Sequence, residues 1–106
     1  MRSLAPIFDV DPNYASCIVA HESEWNPNAV GDDGQAVGLW QWHLDSWEYV
    51  RKRMGKDTTD LRADPFASSM TALFAIGRLD LGSWWTSSQT CLCVQEGDLH
   101  FEEVKK

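Results

Sequence analysis

Residues His21–Trp42 read HESEWNPNAVGDDGQAVGLWQW, and the fold turns on this stretch. Asn26-Pro27 ends whatever helix precedes it, because a residue before proline avoids the helical region. Asp33-Gly34 is a turn signal of the hairpin kind. Gln35–Trp42 then reads as a short strand or extended wall, with Gly38 permitting close backbone approach. Alternation along an extended segment would aim Gln41 one way and Trp40 and Trp42 the other, toward a core.

Working outward, Asp11-Pro12 starts a helix, with Asp as the cap and Pro at the first helical position. The helix is expected to run to about Trp25. Tyr14, Cys17, Ile18, His21, Glu22 and Trp25 recur at spacings of three and four and would share one face. Residues 1–10 read as an extended lead-in whose Ile7, Phe8 and Val10 could dock. A second helix is predicted over Leu44–Met54, with Leu44, Trp47, Val50, Arg51 and Met54 inward and Gly55 as its stop. Asp64-Pro65 repeats the start signal for a third, central helix to about Leu81. Its inner face would be Phe66, Met70, Leu73, Phe74, Gly77 and Leu81, and Gly82 would end it. In Trp84-Trp85, one ring would enter the core and the other a cleft wall. Cys91–Val94 is a short apolar piece, and Gly97–Lys106 a charged tail. The fold class is mainly α, with a short β-hairpin or extended wall beside a cleft.

The chain has 106 residues, the size of one domain, taken as 1–106. Its net charge of −7 argues against nucleic acid and against anionic membranes as partners. The basic cluster Arg51-Lys52-Arg53 reads as a solvated helix face. Nothing is long enough to span a membrane. The N-terminus, broken by Pro6 and Asp9, is not a secretory signal, which leaves a cytoplasmic, mature or otherwise exported chain. Three cysteines leave two readings: one disulfide, such as Cys17 to Cys91, or free buried thiols, the simpler reading. Cys91-Leu92-Cys93 lacks zinc spacing, and the Asn26, Asn28, Asp32 and Asp33 set does not match a calcium loop. No metal and no cofactor are expected.

Glu22 falls at the last turn of the first helix, on its apolar side. Lost hydration and the negative end of the helix dipole both disfavour a charged carboxylate there. That is the setting of a general acid; a structural carboxylate pointing to water is the plainer alternative. His21 is read as a packed helix-face residue and His43 as a helix-start residue.

Glu22-Ser23, Asn26-Pro27-Asn28-Ala29 and Gly38-Leu39-Trp40-Gln41, in this order, resemble the goose-type lysozyme and soluble lytic transglycosylase superfamily. The resemblance is clear over residues 12–42 and looser over 60–85. It implies a lysozyme-like α+β fold and cleavage of the MurNAc-GlcNAc β-1,4 bond of peptidoglycan glycan strands, with no cofactor. By this resemblance Glu22 is the general acid, Ser23 orients its carboxyl, and Gln41, with Gly38 and Leu39, lines the saccharide site. Trp25 is the candidate for sugar stacking at the cleft edge. Asp32 and Asp33 are candidates for a second carboxylate that would activate water in a hydrolase, or they only make the turn. The chain departs from the family after the third helix, where Gly82-Ser83-Trp84-Trp85-Thr86-Ser87 replaces the usual Ala-Tyr-Asn segment.

Two functions from different classes follow. One is a peptidoglycan-cleaving enzyme, transglycosylase or lysozyme. Such an enzyme could be phage-encoded, held in the host cytoplasm or the virion and acting on the cell wall. The other is a non-catalytic glycan-binding or structural module of a virion or larger assembly.

Overall fold

The computed structural model describes residues 1–91. The sequence features at 92–106, including Cys93 and the charged tail, lie outside the described residues. The fold is mainly helical, with one small antiparallel sheet, a lysozyme-like α+β arrangement.

The lead-in is not extended. Ala5–Phe8 forms a 3-10 turn closed by Asp9 in the left-handed region. Ala5, Phe8 and Val10 are buried, while Ile7 is exposed. The turn fits because α3 (Pro65–Leu79) comes very close: a Cβ on Gly77 would lie 2.1 Å from the Phe8 carbonyl oxygen. Arg78 closes the contact by donating to the Ile7 and Phe8 carbonyls and to the Asp9 carboxylate.

Helix α1 covers Pro12–Ser23, and the Asp11 side chain caps it by accepting from the Asn13 N–H. It stops two residues before Trp25, because Glu24 and Trp25 both turn left-handed, with φ of 53° and 65°. Its buried side comprises Tyr14, Ala15, Ile18, Val19 and Ser23. The inward arc is therefore rotated from the expected face, and His21 and Trp25 are exposed rather than packed.

Strands β1 (Val30–Gly31) and β2 (Ala36–Val37) pair antiparallel, Val30 with Val37 and Gly31 with Ala36. The turn between them holds Asp32 and Asp33 at positive φ. The wall after β2 is shorter than an extended Gln35–Trp42 segment. It folds back at Gly38, and Val37 bridges Trp42 across a tight turn. A Cβ on Gly38 would sit 2.0 Å from the Arg62 carbonyl oxygen, and its φ is +90°. Both the close approach and the backbone conformation require glycine there.

Helix α2 (Leu44–Arg53) buries Trp47, Val50 and Arg51, but Leu44, at its first position, is exposed. Helix α3 is capped by Asp64, which accepts from the Ala67 N–H. It ends at Asp80, left-handed, before Gly82 is reached. Its most buried positions are Ser68, Ser69, Thr71, Ala72, Leu73 and Ala75, and Phe66 in its first turn is exposed. Two of the polar side chains have partners here: Ser69 accepts from a tryptophan, and Thr71 accepts from Arg51 and donates to the Ala67 carbonyl. Trp40 Nε1 donates to Ser69 Oγ and Trp42 Nε1 to the Ser68 carbonyl. Buried indoles need acceptors, and here one is a serine side chain and the other a backbone carbonyl. Trp47 finds its acceptor in the Thr59 carbonyl and Trp85 in that of Trp40.

The two parts of the chain are stapled by a disulfide between Cys17 on α1 and Cys91. This corrects the reading of free thiols. Spacing along the chain said nothing of it, because the pairing depends on the segment after α3 returning to α1. Among the described residues no helix is long and apolar enough to cross a membrane.

Candidate active site

A cleft of about 260 Å³ opens between α1, the β1–β2 hairpin, the start of α2 and the segment after α3. Glu22 stands on one wall and is half-buried. Its place follows from the local sequence: the helix ends one residue later, so the side chain projects from the last turn into the gap. Its Oε2 accepts a hydrogen bond from Ser87 Oγ at 2.9 Å. Trp85 is buried against Trp40 and Trp42, and Cys91 is tied to α1. Ser87 lies between these two anchors and is thereby held against the carboxylate.

Gln41 lines the cleft at φ 52°. Its amide nitrogen donates to the carbonyls of Ala29 and Gly38, at 3.1 and 2.9 Å. Both amide hydrogens are thus spent on holding the loop in shape. Gly31 makes room for the other end: a Cβ there would fall 2.6 Å from Gln41 Oε1. Tryptophans 40 and 42 are buried and Gln41 faces the cleft. The cause is a tight turn with Gln41 left-handed, not strand alternation.

Asp32 is on the cleft wall and pairs with His43, Oδ2 to Nε2 at 2.8 Å. Its neighbour Asp33 only shapes the turn, and does not line the cleft. Ser23 is buried and donates to the Val19 carbonyl, one helical turn back, so it does not meet Glu22. Leu39 is core, Gly38 is packed under Arg62, and Trp25 is exposed away from the lining. The aromatic walls are instead Trp42, Trp84 and Trp85. The Trp84-Trp85 pair is divided: Trp85 is core and Trp84 is exposed at the cleft.

Ser87 and the Asp32–His43 pair carry no signal in the sequence. Each joins residues brought together only by tertiary packing. A further brace comes from Arg62, which donates to the carbonyls of Gln35 and Trp42, both at 3.0 Å. Its own geometry is set by Asp60, whose carboxyl is held below the usual range by hydrogen bonds from the guanidinium. The guanidinium therefore spans the base of the hairpin.

Cys17, His21 and Cys91 bring their donor atoms within 4.8 Å of one another. Both sulfurs are joined in the disulfide, and metal binding requires thiolates.

A family model described as Transglycosylase SLT domain matches residues 2–80. The match takes in α1, the hairpin, α2 and α3, and stops before the segment that brings Ser87 and Trp84 to the cleft. No curated protein and no solved structure matches the chain significantly. The matched residues make up most of the chain, and the chain belongs to the transglycosylase SLT domain family, a part of the lysozyme-like superfamily with a peptidoglycan lytic transglycosylase-like function.

Proposed function

We propose that the chain cleaves the MurNAc-GlcNAc β-1,4 bond of peptidoglycan glycan strands, with Glu22 as general acid. The observation that carries this reading is the Glu22 carboxylate, on the wall of a cleft and held there by Ser87. In the proposed step, protonated Glu22 gives its proton to the glycosidic oxygen as the C1–O bond breaks. The leaving sugar departs as an alcohol and positive charge builds on the ring. Glu22, now a carboxylate, takes the proton of the attacking hydroxyl. Attack by the sugar's own 6-hydroxyl leaves a 1,6-anhydro end; attack by water leaves a reducing end.

The transglycosylase outcome has the better support. A second carboxylate is wanted to activate water, and Asp33 does not reach the cleft. Asp32 does reach it, but its Oδ2 is occupied by His43. Digestion of purified peptidoglycan, followed by mass spectrometry, tests the proposal. Anhydro-muropeptides are the expected product. Reducing-end products would overturn the transglycosylase outcome, and a folded protein that binds glycan without cleaving it would overturn the catalytic reading in favour of a binding module.

Ser87 acts here as a positioning residue. Ser87→Ala removes the hydrogen bond that orients the Glu22 side chain, and about a tenfold loss in kcat is expected with KM little changed. Ser87→Thr retains the hydroxyl and is expected to recover most of the rate. Equal rates for the Ala variant and the native chain would show that the contact does not matter.

A further inference from the structure

The cleft does not end at Trp84. Trp84 is 44 % exposed and Tyr49 on α2 is 46 % exposed, and their rings lie 6.0 Å apart, inclined at 50°. Neither ring is needed by the core, yet both are held. Tyr49 is fixed by Arg53, which donates to its hydroxyl at 2.7 Å and lies 5.7 Å from the ring centre. Trp84 is fixed by the short helix Gly82–Trp84 and by its buried neighbour Trp85. Ser46, Tyr49 and Arg53 follow one another at spacings of three and four along α2, so they form one stripe. That stripe starts at Ser46, inside the cleft with Glu22, and runs away from it.

We infer that Trp84 and Tyr49 form a ledge that binds a further pyranose ring of the glycan strand, beyond the sugars held in the cleft. This rests on the glycan reading given above. A pyranose has an apolar face of C–H groups and a polar rim, and an exposed, immobilised aromatic ring matches it at little entropic cost. The 50° inclination keeps the two rings from stacking face to face, so each retains exposed surface. Continuity decides the occupant: Trp84 belongs to the cleft and the ledge at once, so a strand leaving the cleft on that side passes over Tyr49. Exposed Lys52 and Arg53 lie at the far end. They place positive charge beside a strand whose sugars carry anionic peptides, in a chain that is otherwise acidic.

Calorimetric titration with soluble GlcNAc oligosaccharides of increasing length tests the ledge. It is done in the Glu22→Gln background, so that nothing is cleaved. Affinity is expected to rise when the oligosaccharide becomes long enough to leave the cleft. Adding Tyr49→Ala is expected to cut the ratio of long-chain to short-chain affinity by about fivefold, and Tyr49→Trp to preserve it. The same ratio with and without Tyr49 would overturn the ledge. The catalytic reading fails separately, through absence of cleavage by the native chain, because the titration requires no turnover.

Discussion

Glu22→Gln is expected to lower the rate of glycan cleavage by about a thousandfold or more, while the variant melts at nearly the native temperature. A general acid contributes about 10² to 10⁴ in rate, and here the same group would act twice, first giving and then taking a proton. An amide can do neither. The fold should tolerate the change because the side chain ends in the cleft rather than in the core, and the amide oxygen can still accept from Ser87 Oγ. Muropeptide release and a thermal melt, run side by side, check both halves. Activity within tenfold of native would remove Glu22 from the mechanism and turn attention to Asp32.

The second large effect is expected from the disulfide. Cys17 and Cys91 are 74 residues apart, so the bond closes most of the described chain into one loop. On the chain-entropy account, such a closure is worth about 4 kcal/mol, with strain and residual structure lowering the realised value. Reduction, or the paired change Cys17→Ser with Cys91→Ser, is expected to cost about 3 kcal/mol and to lower Tm by about 12–24 °C. Activity should fall even at temperatures where the helices persist, because the residues released are those that carry Trp84, Trp85 and Ser87 to the cleft. A melt that is the same with and without reductant would show that the packing of Trp85 alone is enough.

Short-range chemistry made much of this fold readable. Asp11-Pro12 and Asp64-Pro65 each combine a cap with a fixed φ, and both start helices at those residues. Asp33-Gly34 falls in the hairpin turn, where Asp32, Asp33 and Gly34 take three consecutive positive φ values that Asp and Gly tolerate best. Periodicity served less well where polar needs overrode it. A hydrophobic count on α3 points Phe66 inward, but the buried side carries Ser69, which accepts the Trp40 indole N–H, and Thr71, which accepts from Arg51. On α1 the same count placed His21 and Trp25 inside, whereas Ala15 and Val19 take that side.

The cleft was legible only in part. Glu22 and Gln41 are close enough in sequence for one helix end and one turn to bring them together. Ser87 meets Glu22 from 65 residues away, and no local pattern encodes that distance. Ser23, the neighbour expected to orient the carboxyl, is on the wrong side of the helix, since consecutive residues point about 100° apart. Its hydroxyl turns back to Val19.

The tryptophans have an optical consequence. Trp40, Trp85, Trp42 and Trp47 form an unbroken chain of buried rings, with centroids 5.4, 5.3 and 5.8 Å apart in that order. Indoles so close share their electronic excitation, which imposes a coupled signature on the ultraviolet circular dichroism and passes absorbed energy from ring to ring. The interior therefore behaves as one chromophore. Trp84 and Trp25, both exposed, emit apart from it, and on the glycan reading proposed above a sugar laid over Trp84 is expected to change the colour and yield of its emission.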